Sequence, residues 1–238
     1  MAGSLYLDNS EIDNIDLRLE YYFGFNQFFT AGIFSKEILN PIEETVNESG
    51  DLIITSYQNV PLAEINGFEI EYEQVFEAIM DSPNDLLVKF NYTETESEVI
   101  VNPGDTYINS IGTVVDAQNL LANGRDTRLQ GQSDTIANFQ IGLDNLQNQT
   151  QATLIVNYVS DRVRARGIDV LPDIIEEPPL LVDFAFSKIY SYPEYELKLS
   201  LELRNLLDEE YYASMRNIAI YDQYDLGTSA SLGFKVSF

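Results

Sequence analysis

Residues 230–238 read Ala-Ser-Leu-Gly-Phe-Lys-Val-Ser-Phe, and their strict alternation constrains the fold more than any other stretch. Leu232, Phe234, Val236 and Phe238 fall on one side of an extended strand; Ser231, Gly233, Lys235 and Ser237 fall on the other. The same period of two recurs along the chain. Ile15, Leu17, Leu19, Tyr21 and Phe23 are interleaved with Asp16, Arg18, Glu20 and Tyr22. Phe68, Ile70 and Tyr72 are interleaved with Glu69, Glu71 and Glu73, and Leu197, Leu199, Leu201 and Leu203 with Lys198, Ser200, Glu202 and Arg204. Residues 86–92, 137–143 and 152–158 continue the pattern. A helical period fits none of these segments as well, so the chain is expected to be all-β, with about nine strands each apolar on one face.

Composition narrows the chemistry. No apolar run approaches the ~18 residues of a membrane helix, a test that leaves a β-barrel open because its strands are short and alternating. With 39 acidic and 13 basic residues the net charge is −26, which repels nucleic-acid phosphates. There is no Cys and no His, which removes disulfides, thiolate–metal sites, histidine bases and imidazole–zinc centres. The expectation is a protein that is not an enzyme, with no cofactor, no metal site and no catalytic residue. Residues 1–4 carry no positive, apolar leader pattern.

The connections between the alternating segments are alternately short and long. Short ones fall at 24–26, 77–85, 145–149 and 190–194; long ones run over about 39–51, 98–134, 162–179 and 207–226. In an up-and-down barrel this places all tight turns on one rim and all long loops on the other, as in transmembrane barrels. Aromatic residues gather near the short turns, Tyr21 to Phe29 at the first and Tyr190, Tyr192 and Tyr195 at the last, as in an interfacial girdle. An aromatic close such as Phe238 suits the same reading. Gly67 separates odd-numbered apolar positions (Ala63, Ile65) from even-numbered ones (Phe68, Ile70), and a β-bulge is expected there.

Three clusters invite functional readings. Arg162, Arg164 and Arg166 sit two apart above Ala152, Leu154, Val156 and Tyr158. The parity of that segment points all three outward, where guanidinium groups would meet lipopolysaccharide phosphates; a bulge would turn them toward an anionic ligand in the lumen. The competing reading is a solvated loop stem paired with Asp161 or Asp169. Glu43, Glu44, Glu48 and Asp51 read as a solvated acidic loop rather than a calcium site, since EF-hand spacing is absent. Tyr211, Tyr212, Tyr221 and Tyr224 suit either ligand stacking or a second aromatic girdle.

Several words of the sequence resemble one family. Residues 12–23 resemble the strand that follows a GNP-x-L segment in TonB-dependent outer-membrane receptors. Phe34 to Glu43 is similar to the family's F-x-K-x-x-x-N-P-I-E stretch, and Asn59, Ala63, Gly67 and Glu69 to its N…A…G-x-E positions. Leu129-Gln130-Gly131-Gln132-Ser133 with Ala137-Asn138, Leu171-Pro172-Asp173, and Asn205-Leu206-Leu207-Asp208 through Tyr211 follow in the family's order.

The resemblance implies that residues 1–238 are the C-terminal portion of a 22-stranded transmembrane barrel in the outer membrane of a Gram-negative bacterium. It implies active uptake of a scarce small-molecule nutrient: an iron–siderophore complex first, cobalamin or a saccharide otherwise. The TonB complex would act through an N-terminal plug that these residues do not include, so the segment alone is expected to be incompetent for transport. Outer-membrane lipid and lipopolysaccharide would surround it. Leu232, Phe234, Val236 and Phe238 resemble the terminal signal read by the barrel-assembly machinery. Two rival expectations are a surface adhesion barrel without transport and a secreted β-sandwich acting on carbohydrate through paired carboxylates.

Overall fold

A computed structural model describes residues 4–49, 52–77, 83–109, 111–168, 170–216 and 219–238. Its strands, in chain order, are β1 (Glu11–Gly24), β2 (Gln27–Leu39), β3 (Ile42–Ser49), β4 (Leu52–Asn59), β5 (Leu62–Phe76), β6 (Asn84–Ile100), β7 (Thr106–Ile108) and β8 (Val114–Asp116). They continue with β9 (Thr135–Asn145), β10 (Thr150–Val159), β11 (Arg162–Gly167), β12 (Ile174–Glu177), β13 (Leu181–Ser191), β14 (Glu196–Arg204), β15 (Glu210–Met215), β16 (Ala219–Asp225) and β17 (Ser229–Ser237). Nine of them form one antiparallel meander in the order β1-β2-β5-β6-β9-β10-β13-β14-β17. All the short connections lie at one end of this sheet and all the long ones at the other. The first hairpin turns at Asn26, whose φ of 53° is the left-handed conformation that Asn tolerates best among residues with a Cβ.

The register carries one apolar face across the whole meander. Leu17 faces Ile33, which faces Phe68. Phe90, Phe139, Val156 and Val182 form another row, and Phe186, Leu201 and Leu232 a third. The opposite face is polar, as in the row Glu71, Asn91, Asn138 and Asn157. The apolar side is uncovered: Ile15 is 78% exposed, Leu17 70%, Leu232 79% and Phe234 80%. Total accessible surface is 14324 Å², against about 10,800 Å² for a compact monomer of this mass. Toward the long connections this face changes character. On β6 it runs Leu86, Val88, Phe90 and Tyr92, then Glu94, Glu96 and Glu98; Asp13, Glu37, Glu64 and Glu98 line up across four strands. β1 and β17 each pair on one side, so the sheet has two free edges.

The long connections are not irregular loops. They fold into a second sheet, order β16-β15-β12-β11-β3-β4, with a short parallel contact between β11 and β3, and into the small hairpin β7–β8. The buried apolar clusters lie in this layer and where it meets the long-connection ends of β5 and β6, not under the apolar face of the meander. One comprises Val60, Ala63, Val99, Tyr107, Ala117 and Leu120; the other Val46, Ala165, Ile174, Ala213 and Met215.

No bulge occurs at Gly67. β5 pairs without a shift from Leu62 to Glu73 with β2 and from Leu62 to Phe76 with β6. The apolar residues change parity because the covered side changes. Ala63 and Ile65 share a face with Glu69, but at their end of the strand the loop layer packs onto that face. Gly67 is demanded by a close approach: a Cβ there would lie 2.5 Å from the Glu94 carbonyl oxygen and 2.6 Å from Cζ of Phe34. The Phe34 ring thus covers a backbone that any side chain would push away.

Candidate functional site

The polar face of the meander holds a ladder of ion pairs. Arg18 reaches Glu20 at 2.9 Å, Glu69 at 3.3 Å and Glu71 at 3.6 Å, and Lys89 reaches Glu73 at 3.0 Å. Asn138 donates to Asn91 at 3.3 Å. Two shallow grooves, of about 330 and 240 Å³, lie along this wall beside Arg18 and Lys89. Most of these charges are well exposed, so each pair contributes at most about 1 kcal/mol. The alternating glutamates of β5 therefore form a hydrated wall, as the alternation suggests, and lack the enclosed cleft that a carboxylate pair needs for acid–base work.

A different environment surrounds Arg166, where the loop layer joins the meander. Its side chain and that of Glu43 are both 0% exposed, and they pair in a fork, Nε to Oε2 at 2.5 Å and Nη2 to Oε1 at 2.9 Å. Arg166 also donates to the carbonyls of Asp126 (2.6 Å) and Arg128 (2.9 Å). Glu43 accepts from the Gln130 amide at 3.1 Å, while the Gln130 side chain accepts from the Glu44 amide and donates to the Arg164 carbonyl. Asp173 accepts from the amides of Gly167 (3.0 Å) and Asp126 (2.8 Å). A Cβ at Gly167 would collide with the Leu171 and Pro172 carbonyls, so glycine is required. Burial is the largest influence on Arg166 and opposes its charge, but Glu43, with Asp173 and Asp126 behind it, holds the guanidinium above its ordinary value.

Arg128 clamps three carboxylates, Asp126 at 2.9 Å, Asp161 at 2.9 Å and Asp134 at 3.3 Å. The hydrogen bonding it donates to the Asp126 carboxylate is the largest reason its guanidinium is held above the ordinary range. Asp126 itself is opposed by burial, yet Arg128 draws its carboxyl below the usual value. Asp134 is pushed up, mainly by burial.

The three arginines of β11 do not share one outward face. The strand shifts register between Val163 and Ala165 and belongs to the second sheet rather than extending β10. Arg166 is sealed inside, so it meets neither lipopolysaccharide nor a ligand, and Glu43 is buried rather than part of a solvated acidic loop. Asp51 and Asp169 lie outside the described residues. Asp161 binds Arg128 instead of a β11 arginine. Among the described residues no three acidic side chains converge as metal ligands.

Arg164 meets the tyrosines of the last long connection, while Arg162 on the same strand meets a carboxylate of β12. Arg162 pairs with Glu176 at 2.8 Å. Arg164, one third exposed, donates to the Tyr211 hydroxyl at 2.9 Å and to Asp222 at 3.3 Å, and its guanidinium lies 5.3 Å from the Tyr221 ring centre. Tyr211 stacks on Tyr224 with centroids 4.6 Å apart. The register of β12, β15 and β16 puts Glu176 beside Ala213 and Ala213 beside Asp222, so these groups occupy one face across four strands. Sequence reasoning picked the arginines and the tyrosines separately and missed Glu176, Asp222 and Arg128. Scarcity was the available signal: with 13 bases among 39 acids, an arginine inside a folded layer will find a carboxylate.

The words that carry the family resemblance are joints of this loop layer. Glu43, Gln130 and Asp173 belong to the Arg166 network. Asn59 donates to the Asn40 carbonyl at 2.7 Å and closes the β3–β4 excursion. Asn205, at φ 51°, receives the Glu209 amide and donates to the Glu209 and Gly227 carbonyls, which fixes the exit toward β15. No protein-family model matches the chain, and no curated protein matches it.

Proposed function

We propose that the chain is the C-terminal barrel portion of a TonB-dependent outer-membrane receptor. In this reading it is a non-enzymatic part of a protein that takes up a small-molecule nutrient, an iron–siderophore complex first among the candidates. The observation that carries it is the apolar face, continuous over nine strands, exposed on β1 and β17 and part-exposed along the strands between them. A soluble sandwich packs such a face against a second sheet; here the second sheet grows from the end of the first and its clusters lie elsewhere. The turn from apolar to acidic side chains on the same face supports a band of lipid contact with a wet rim above it. The polar ladder of Arg18, Glu69, Glu71, Glu73 and Lys89 then lines the lumen, and the free edges of β1 and β17 await further strands of a larger barrel. The step from barrel to TonB-dependent receptor rests on the resemblance of the joint residues.

Reconstitution tests the membrane part. The chain is refolded into vesicles whose acyl chains carry bromine, and tyrosine emission is recorded. Strong quenching with retained β-structure is expected. A compact monomer that stays in buffer without detergent, unquenched, would overturn the barrel. The coding sequence upstream of Met1 tests the receptor part: a plug domain with a TonB-interacting segment is expected, and a sequence without one removes coupled transport.

A further inference from the structure

The face shared by β11, β12, β15 and β16 carries matched charges within a strongly acidic chain. Arg162 and Arg164 are matched by Glu176 and Asp222, so the cluster carries no net charge in a chain of net charge −26. Neither guanidinium is a spare cation, and a phosphate or sulfate approaching it would meet the paired carboxylates and the acidic surroundings. Beside these pairs stands an aromatic ladder. The Tyr224 ring, half exposed, covers Tyr211, and the Arg164 guanidinium lies over both the Tyr211 and Tyr221 rings, 6.0 and 5.3 Å from their centres. The site thus offers an open π-face next to planar donors and a carboxylate with free lone pairs. A ligand that uses both is uncharged, rich in hydroxyl groups, and apolar on one ring face.

We propose that this face binds neutral sugar rings, with Tyr224 as the stacking platform and the Arg164–Asp222 pair as the anchor for adjacent hydroxyl groups. The sugar is either a free oligosaccharide or the glycan part of a surrounding glycolipid, and both present the same chemistry. Asp222 accepts hydroxyl protons while Arg164 holds it in place and donates to ring or hydroxyl oxygens. The site lies on the loop layer, outside the meander, so it stands whether or not the chain spans a membrane.

The full chain is prepared in an amine-oxide detergent, which has no sugar headgroup to compete. Maltohexaose, cellohexaose, mannohexaose and a phosphate-stripped lipopolysaccharide core oligosaccharide are titrated by calorimetry and saturation-transfer NMR. At least one is expected to bind, with Tyr224→Ala and Asp222→Ala each weakening it by about tenfold or more and Tyr224→Phe retaining it. Binding of the core oligosaccharide alone assigns the site to glycolipid; binding of a hexaose assigns it to free saccharide; either supports the proposal. No binding by any probe, equal binding by Tyr224→Ala, or displacement of the sugar by inorganic phosphate overturns it. Lipid quenching of Tyr224→Ala refolded into the brominated vesicles reports the meander separately, so failure at this face is distinguishable from failure of the barrel reading.

Discussion

Replacing Glu43 by Gln isolates the most consequential electrostatic contact in the molecule. The substitution keeps the side-chain volume and an acceptor for the Gln130 amide, but it removes the charge opposite a fully buried guanidinium. Arg166 would keep its bonds to the carbonyls of Asp126 and Arg128, neither of which neutralises it. Breaking a buried pair by removing one partner costs about 3–5 kcal/mol. The Ile168 amide, which donates to the Val46 carbonyl across the parallel contact of β11 and β3, reports the loss locally. Its hydrogen-exchange protection is expected to fall by about 10²–10⁴-fold, at roughly 1.4 kcal/mol per decade. Arg166→Met should cost a similar amount, because it strands the carboxylate with one amide donor. The double variant Glu43→Gln/Arg166→Met should cost less than the sum by about 1–3 kcal/mol, since neither charge then remains buried alone. Single variants costing under about 1 kcal/mol, or strictly additive costs, would refute the claim that this pair holds the loop layer together.

Gly67→Ala would press a methyl against the Glu94 carbonyl and the Phe34 ring, and should cost about 1–3 kcal/mol in denaturant unfolding; Phe34→Ala should relieve only the ring's share, because the carbonyl is backbone. On the barrel reading, Leu232→Arg should destabilise the chain by about 2–4 kcal/mol in vesicles, while Ser231→Arg, on the polar face one residue earlier, should change stability by less than about 0.5 kcal/mol; equal effects would sink the assignment of faces. Asp126, held below its ordinary value of 3.8, contributes stability that is fully present above that value and lost as the pH falls through the lower folded value. Asp134, raised mainly by burial, gives the opposite slope, so the titration belongs in Asp134→Asn. There the methyl resonances of Val163 and Ile174 should broaden on acidification below the ordinary carboxylate range, and sharp lines at full acidity would contradict the Arg128 clamp.

The meander was legible because its rules are local. A period of two gives the strand, and the apolar parity gives the face. The alternation of short and long connections gives the two ends, and the registers of Leu17, Phe90 and Leu201 agree with all three. The loop layer was not legible because its contacts are distant. Glu43 and Arg166 stand 123 residues apart, and neither segment announces the other. Parity read along β10 failed to continue into β11 because the chain changes sheet between Val159 and Arg162 and then shifts register. At Gly67 the parity rule misled for a different reason: it reports which face is covered, and the cover changes partway along β5.

The two halves of the molecule solve opposite problems of desolvation. The loop layer has its own apolar clusters and buries charge only where partners are complete, as around Arg166 and Asp173. It can therefore hold a fixed shape in water, with each buried Val, Ile or Met side chain contributing about 1.5–3 kcal/mol. The meander satisfies its backbone through strand pairing but covers its apolar side chains only by their cross-strand neighbours, so most of what that face can contribute to stability waits for something nonaqueous to meet it. If lipid is that medium, the acidic positions Glu37, Glu64, Glu96 and Glu98 mark where it must end, because a carboxylate among acyl chains is expensive. The same boundary puts Arg164, Asp222 and Tyr224 on the watery side with the rest of the loop layer. On the barrel reading, the loop layer then stands outside the lipid, and the polar ladder of Arg18, Glu69, Glu71, Glu73 and Lys89 faces away from it.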